Sequence, residues 1–314
     1  MNSYKKLILK GLLLSSSIFL TNVTYAQANA QNQASSVIPY NGATIDKIKK
    51  NGTIIIGTRS SSIPLSYFDN NKNPMGYGVD VCLALIDNIK KDYNLPNLKV
   101  SYQEVTGSNR IPLTIDGSVD LECGSTTNNE TRRKDVDFTI PYYISGVRIL
   151  TKKNTGVVSL NDLRGKKIAL GAGTTSIPLM EKINKERAMN MTLIVEPSFS
   201  EALSAVNTGK ADAFVLDDLL LFGERSKVSN PQDFDVVGEF LSVEPLAIMI
   251  RKNDPEFKNY LNKKLNQFIQ DGTIDRLYSK WFENPIPPNN QNLNIPQTPL
   301  LKDVFRMPTD IVGN

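Results

Sequence analysis

Residues 121–133, LECGSTTNNETRR, encode in order the end of a strand, a small-residue loop and the start of a helix. The apolar run breaks at Gly124, three hydroxyl residues follow, and Arg132 falls on the first turns of the predicted helix. A strand end placed before a helix start leaves backbone N–H groups without intrahelical partners. Those donors, the hydroxyls and a guanidinium suit a carboxylate. The stretch therefore predicts an anchor for the α-carboxylate of a free amino acid.

The alternative for this stretch is an ordinary capped loop, with residues 127–129 as N-caps and Arg132 in solvent. A second small-hydroxyl loop between a strand and a helix, GAGTTS, occupies residues 171–176. Ligands of parallel α/β sheets bind at the carboxyl ends of strands. We therefore expect the two loops, one in each half of the chain, to face each other across a cleft.

The first 26 residues have the features of a secretory signal peptide. Lys5, Lys6 and Lys10 precede a mostly apolar run from 12 to 20, which is too short to span a bilayer stably. Small residues around Ala26 form a plausible cleavage site. Residues 27–40 are rich in Gln, Asn, Ala and Ser, and we expect a disordered leader there. These features predict export, most simply to a bacterial periplasm.

Charge and composition exclude several classes of function. The chain has 36 basic and 32 acidic residues, and loss of the signal peptide would leave 33 and 32. A nearly neutral surface gives no argument for nucleic acid or for an anionic membrane. Histidine, the commonest general base and metal ligand, is absent. The only cysteines, Cys82 and Cys123, could form a disulfide or remain as two buried thiols.

Strand-like and helix-like segments alternate along the chain, which is typical of an α/β fold. Predicted strands cover 53–57, 98–105, 120–123, 147–152, 166–170, 193–195, 211–216 and 246–251. Predicted helices cover 45–50, 79–93, 110–115, 160–165, 176–188, 200–207 and 219–225, and two further apolar-striped helices follow Pro255. The Asn- and Pro-rich tail from residue 289 is expected to be extended over the surface or loose.

Several ordered stretches resemble the periplasmic amino-acid-binding proteins of ABC importers, solute-binding protein family 3. The first set comprises Arg59-Ser60-Ser61-Ser62 with Pro64, Tyr67-Phe68-Asp69, Pro74 to Asp80, and Glu122 to Asn129 with Arg132. A second set matches the glutamate/aspartate-binding subgroup: Asn109 to Leu113, Gly173 to Ser176, Met189 to Met191, Asp217-Asp218, Lys280 to Phe282 and Asn284 to Pro288. The similarity covers roughly residues 44–288.

The resemblance implies a two-lobed α/β fold of the periplasmic-binding-protein type II, with a ligand cleft between the lobes. Lobe 1 would comprise residues 41–147 and 246–314, and lobe 2 residues 148–245. The implied function is the capture of glutamate or aspartate and its delivery to the permease and ATPase of an ABC importer. The implied protein is a monomer that is not an enzyme, with no cofactor, no metal and no nucleic-acid partner.

The same resemblance implies seven ligand-binding residues, which are Arg59, Arg110, Ser125, Thr127, Arg132, Thr175 and Asp217. Arg132 would hold the α-carboxylate, assisted by Thr127 and by the helix start at Thr175. Asp217 would take the α-ammonium, which Ser125 would help to position. The assignment is physically coherent because a zwitterion needs one cationic and one anionic partner.

The acidic side chain of the ligand would meet Arg59 and Arg110, whose guanidinium forks match carboxylate oxygens. A neutral ligand would leave both arginines unpaired in a closed cleft. The subgroup usually has His where this sequence has Phe199, and Ser where it has Gly107. Both differences lie at the side-chain end, so the choice between glutamate and aspartate stays open.

Two local questions and two other functions also remain open. Asp217 or Asp218 would cap the next helix, and we expect Asp217 to face the cleft. Tyr67 and Phe68 could lie in the core or line the pocket. A cleft enzyme related to cyclohexadienyl dehydratase would need a placed acid or base, for which Glu122 is available. A sensory domain is the remaining possibility, although no membrane span or signalling domain follows in this sequence.

Overall fold

The structure, a computed structural model, describes residues 43–312. The predicted signal peptide and leader lie outside the described residues, so both stay predictions. None of the helices between residues 43 and 312 combines the length and the apolar character needed to span a bilayer.

Helices and strands alternate through most of the chain, as predicted. The strands are β1 (Thr53–Thr58), β2 (Ser61–Ser62), β3 (Ser66–Phe68), β4 (Pro74–Met75), β5 (Lys99–Glu104), β6 (Leu121–Glu122), β7 (Val136–Lys152), β8 (Lys167–Gly171), β9 (Thr192–Glu196), β10 (Ala213–Asp217), β11 (Phe234–Val237), β12 (Val243–Arg251), β13 (Pro285–Ile286) and β14 (Gln291–Asn292). The helices are α1 (Thr44–Asn51), α2 (Tyr77–Asp92), α3 (Arg110–Ile115), α4 (Glu130–Arg133), α5 (Ser176–Glu186), α6 (Phe199–Asn207), α7 (Asp218–Arg225), α8 (Pro255–Gln270), α9 (Thr273–Tyr278) and α10 (Pro299–Arg306). Short 3₁₀ turns at Leu160–Leu163 and Pro231–Asp233 and a π-turn at Ser279–Glu283 complete the set.

The main sheet has the strand order β5-β1-β6-β12-β7-β10-β8-β9, and β11 also pairs with β7. Strand β7 belongs to both halves of this sheet. Its first part, residues 136–146, pairs antiparallel with β12, and residues 147–151 pair antiparallel with β10. Within each half the neighbouring strands β1, β5 and β6, or β8, β9 and β10, run parallel. The two lobes are therefore joined through β7 and β12.

The predicted lobe boundaries, 147/148 and 245/246, fall within these two long strands. The chain leaves the first lobe along β7 and returns along β12, so the first lobe takes elements from both ends of the chain. The residue at which each strand changes lobe stays a prediction.

Strand β7 is longer than the sequence analysis predicted, since it begins at Val136 rather than at 147. Pro141 inside this run argues against a regular strand, because proline cannot donate a ladder hydrogen bond. In the structure Pro141 lies opposite Ala247, where the β7–β12 register shifts on both sides. A register irregularity tolerates proline, so the strand continues through it.

Helix α2 packs its apolar stripe into the core of the first lobe, as the three-and-four spacing predicted. Val81, Leu85, Ile86 and Ile89 are fully buried on it. Cys82, on the same stripe, forms a disulfide with Cys123. This result settles the alternative that the sequence left open. The bond closes a 41-residue separation, which in the chain-entropy account corresponds to about 4 kcal/mol. It fixes the strand end that leads into the 121–133 stretch.

The tail after Pro288 is more ordered than predicted, because it contains helix α10. Thr298 caps this helix by accepting a hydrogen bond from Leu301 N, and Pro299 occupies its first turn. Leu301 is buried. Further along, Asp310 pairs with Lys258 at 2.6 Å, and its carbonyl accepts from Asn128 Nδ2 at 2.9 Å. The tail therefore wraps over the first lobe, behind the anchor loop.

Candidate ligand-binding site

The loop between β6 and α4 is held against β12 through its backbone. Thr127 forms an antiparallel bridge with Leu246, Asn128 N donates to Pro245 O at 2.8 Å, and Ala247 N donates to Thr126 O at 3.1 Å. The Asn129 side chain caps α4 by accepting from Arg132 N at 2.9 Å. Only Asn129 of the candidate caps does so. The loop is a rigid extension of the sheet, which presets the side chains around it.

Arg132 is buried, so the alternative that places it in solvent is wrong. Its Nη1 donates to Thr127 O at 2.9 Å, within the same loop. Its Nη2 donates to Gly173 O at 3.2 Å, and Arg110 Nη2 donates to the same oxygen at 3.1 Å. Gly173 belongs to the loop between β8 and α5. Two guanidinium groups of the first lobe thus meet one carbonyl of the second.

The loop at residues 171–176 packs directly against Gly107, which lies in the loop between β5 and α3 of the first lobe. A Cβ on Gly107 would overlap the carbonyl oxygen of Ala172, and a Cβ on Gly173 would overlap the carbonyl oxygen of Gly107. Gly173 also has a φ of 72°, a conformation that favours glycine. On another part of the same seam, a Cβ on Gly223 would overlap Ile63 O. The lobes are therefore closed on each other in this structure.

A small pocket lies at this seam and gathers most of the predicted residues. It is lined by Arg110, Ser125, Thr127, Arg132, Thr174, Thr175, Phe199 and Asp217. Six of these are predicted ligand-binding residues. Thr174 and Phe199 are the additional ones. The cavity is small, about 10 Å³, because guanidinium groups and loops occupy most of the seam.

Asp217 ends β10 and directs its carboxylate into this pocket. Its Oδ1 is buried and has no hydrogen-bond partner in the described structure. Its neighbour Asp218 accepts from Leu219 N at 2.7 Å and from Ser145 Oγ at 2.7 Å. Asp218 therefore binds the helix backbone from the first position of α7, and the carboxylate of Asp217 faces the cleft, which is the division expected from the sequence. An unpaired buried carboxylate is suited to receive an ammonium group.

Neither the carboxylate of Asp217 nor the guanidinium of Arg132 has enough opposite charge around it to offset its burial. Burial raises the pKa of Asp217 well above its ordinary value of 3.8, and the carboxylates of Glu244 and Asp218 raise it further. Burial and the nearby Arg110 lower the pKa of Arg132 to about 9. Each charge is costly where it stands. A ligand with a carboxylate for the guanidinium and an ammonium for Asp217 would relieve both costs.

Arg59 lies beside the pocket and does not line it. Its side chain is buried, and its Cζ stands 5.3 Å from the ring centroid of Phe199, which does line the pocket. Its Nη1 has no partner in the described structure. Burial and Arg110 lower the pKa of Arg59 to about 10. Arg59 and Arg110 therefore form a cationic end of the site next to an aromatic wall.

Glu244 is a site residue that the sequence analysis missed. It lies on β12 and accepts hydrogen bonds from Thr175 Oγ1 at 2.9 Å and from Ser242 Oγ at 2.5 Å. Its carboxylate therefore orients the residue that precedes α5. The Thr175 hydroxyl donates its proton there, so a ligand carboxylate would rely on backbone N–H groups at the start of α5.

Tyr67 and Phe68 are absent from the lining of this pocket. The Tyr67 ring is buried edge-to-face against Trp281, with centroids 6.0 Å apart, and its hydroxyl donates to Pro287 O at 2.7 Å. Of the two interpretations left open for this pair, core packing therefore holds for Tyr67.

The fold and the seam define a class of protein: a two-lobed α/β clamp with a polar pocket for a small zwitterion between its halves. Comparison with known sequences then gives the family. The family described as "Bacterial extracellular solute-binding proteins, family 3" matches residues 54–284. The chain belongs to this family.

The described residues contain no group of three or more acidic or Cys side chains placed to hold a metal ion.

Two curated relatives and one solved structure illustrate the similarity. The chain is 39% identical over 297 residues to a "Glutamate/aspartate import solute-binding protein" of Salmonella typhimurium, covering 95% of this chain and 97% of that protein. It is 42% identical over 268 residues to an "L-glutamate/L-aspartate-binding protein" of Pseudomonas aeruginosa, covering 85% and 89%. A crystal structure of an ancestral amino acid-binding protein, a precursor of cyclohexadienyl dehydratase, superposes with a TM-score of 0.65 at 34% identity, covering 76% and 99%.

Proposed function

We propose that this protein captures glutamate or aspartate in the bacterial periplasm and delivers it, as a monomer, to the permease and ATPase of an ABC importer. The observation that carries the proposal is the convergence of Arg110, Arg132 and Asp217 in one closed pocket. The relatives named for glutamate and aspartate support the same ligand class.

The roles proposed for the pocket follow from charge. Arg132 binds the α-carboxylate, with Thr127 and the start of α5 at Thr175 as further donors. Asp217 binds the α-ammonium, and Ser125 adds a hydroxyl at that end. Two carboxylates and one ammonium then each meet an opposite charge in a site from which water is largely excluded.

The side-chain carboxylate meets the cationic end formed by Arg110 and Arg59. Arg110 reaches the pocket directly, whereas Arg59 acts from behind the Phe199 ring. A neutral amide in the same place would leave at least one buried guanidinium without a counter-charge, which is costly. The pocket therefore favours glutamate and aspartate over glutamine.

Delivery requires the clamp to open and close. The strands β7 and β12 connect the halves, and the contacts that opening must break are those at Gly107–Gly173 and Ile63–Gly223. Hinged closure around a ligand is the usual motion of such clamps. A transported ligand is released unchanged when these contacts separate.

Catalysis in the cleft has little support from the site. The acid that the sequence offered, Glu122, does not line the pocket. Asp217 does line it, and the proposal occupies that carboxylate with an ammonium. The curated relatives are named as solute-binding proteins, and the chain is accordingly a binder rather than an enzyme.

Isothermal titration calorimetry of the mature protein tests the proposal. We expect one site per chain for glutamate or aspartate, with glutamine bound far more weakly, and the ligand recovered intact afterwards. Failure to bind either acidic amino acid, or chemical conversion of the bound one, would contradict it.

A further inference from the structure

Three buried charged residues lie at one side of the pocket, where Arg110 lines it and Glu122 and Arg59 do not. Glu122, at the end of β6, is fully buried, with 0% of its surface exposed. Neither of its carboxylate oxygens has a hydrogen-bond partner in the described structure. Arg59 Nη1 and Arg110 Nε are also buried and unpartnered there. Burial removes the hydration of each charge, which is costly. Attraction between buried charges of opposite sign offsets part of that cost even when they make no direct hydrogen bond.

Gly124 brings the carboxylate close to the pocket. A Cβ at this position would overlap Glu122 Oε1 and would come within 2.9 Å of Arg59 Cγ. The acid and the stem of the arginine therefore both pack against the same glycine. The next residue, Ser125, lines the pocket. The Glu122 carboxylate therefore lies against the residue that precedes Ser125, on the same side of the pocket as Arg59.

The charge of Glu122 acts on the arginines through space. Burial lowers the pKa of both Arg59 and Arg110, and the Glu122 carboxylate opposes that effect at each of them. The described residues place no Lys or Arg nitrogen within 4.0 Å of its oxygens, so this is no paired salt bridge. Glu122 is a counter-charge held at a distance, and a second carboxylate can approach the same arginines.

We propose that Glu122 is the counter-charge that balances Arg59 and Arg110 when no acidic side chain is bound, and that it thereby limits the preference of the site for acidic over neutral amino acids. The inference rests on the proposed function. A ligand's side-chain carboxylate and Glu122 are like charges that share two guanidinium groups. Glu122 therefore stabilises the ligand-free protein and repels the acidic ligand.

Glu122→Gln tests this proposal, because it keeps the shape of the side chain and removes its charge. We expect calorimetry to show glutamate bound more tightly, on the order of tenfold, because the repulsion between Glu122 and the ligand's side-chain carboxylate is removed. Glutamine affinity should change by less than about twofold, because glutamine carries no side-chain charge. The ligand-free variant should melt at a lower temperature than the wild type.

Glu224→Gln provides a matched control. Glu224 is also a buried acid; it lies on α7, pairs with Lys227 just beyond the end of that helix, and does not line the pocket. Its loss should lower the melting temperature and leave the glutamate-to-glutamine affinity ratio unchanged. A purely structural role of Glu122 would give the same result as this control. An unchanged or reduced ratio in Glu122→Gln would therefore overturn the proposal.

A double variant keeps the test decisive if Glu122→Gln does not fold. Arg59→Gln alone should lose much of the glutamate preference, because Glu122 then cancels the remaining charge of Arg110. Adding Glu122→Gln to it restores the net charge of the wild type and should restore the preference. No recovery in the double variant would overturn the proposal. A wild-type protein that binds no acidic amino acid would instead show, before any substitution, that the proposed function itself fails.

Discussion

Replacing Arg132 with methionine removes the proposed partner of the ligand's α-carboxylate while keeping an apolar side chain of similar length. A buried carboxylate that loses its cation is destabilised by about 3–5 kcal/mol. At about 1.4 kcal/mol per tenfold, the dissociation constants for glutamate, aspartate and glutamine should all rise by at least about a hundredfold. The loss is expected to be the same for all three ligands, since they share the α-carboxylate.

The ligand-free stability of Arg132→Met separates this role from a structural one. The substitution removes two hydrogen bonds, to Thr127 O and to Gly173 O, worth about 1 kcal/mol each. It also removes a buried charge whose pKa burial has lowered to about 9, which offsets that loss. The unfolding free energy without ligand should therefore change by less than about 2 kcal/mol.

Calorimetry and thermal melts with each amino acid measure both quantities. Arg133→Met is the matched control, because Arg133 follows on the same helix and donates to Asn128 Oδ1 at 2.8 Å. It should bind like the wild type. Near-wild-type affinity in Arg132→Met, or a loss confined to the acidic ligands, would refute the assignment of Arg132 to the α-carboxylate.

Three further predictions concern specificity, pH and closure. Arg110→Gln should weaken glutamate and aspartate far more than glutamine in calorimetry, and equal losses would contradict its role at the side chain. Glutamate affinity should fall as pH is lowered through the raised pKa of Asp217, because the protonated carboxyl group cannot hold an ammonium. The same pH profile in Asp217→Asn would contradict this. Gly107→Val should keep the clamp open, because its side chain would overlap Ala172 O, and glutamate should then no longer reduce the radius of gyration in solution scattering; the same compaction as in the wild type would contradict it.

The sign of the Asp217 effect on stability is opposite to its effect on binding. A carboxyl group whose pKa is raised in the folded state stabilises the fold below its unfolded pKa, and that contribution is lost as pH rises. The ligand-free protein should therefore be relieved of this cost at low pH, while the complex is weakened there. Melting temperatures with and without glutamate across the same pH range would show the two trends.

The sequence predicted that loops at the carboxyl ends of the strands would form the site, because one rule governs where parallel strands bind ligands. Ser125 follows β6, Thr175 precedes α5 and Asp217 ends β10, and side chains at the carboxyl ends of parallel strands meet at one edge of a sheet. Apolar runs and glycine stops located those ends without any knowledge of distant contacts. The individual residues came from the resemblance to the family, and six of those seven line one pocket.

Glu244 could not be predicted in the same way. It acts on Thr175 from 69 residues further along the chain, on the returning strand β12. Its position depends on the register between β7 and β12, which shifts twice around Ala247. No local pattern encodes that register, and a one-residue slip would turn the side chain to the other face.

Glu122 and helix α10 illustrate two other limits. Strand β6 has only two residues, so alternation along it could not show which way Glu122 faces. The start of α10 did carry a local signal, a capping Thr298 followed by Pro299. The surrounding Asn- and Pro-rich composition favoured an extended tail and outweighed that signal.

A crystal structure of the protein with glutamate bound tests the central claim most directly. The account predicts that the α-carboxylate lies within hydrogen-bond distance of the Arg132 guanidinium, the ammonium against Asp217, and the side-chain carboxylate toward Arg110. Glutamate bound outside the seam between the two lobes, or bound there with its ammonium away from Asp217, would contradict it.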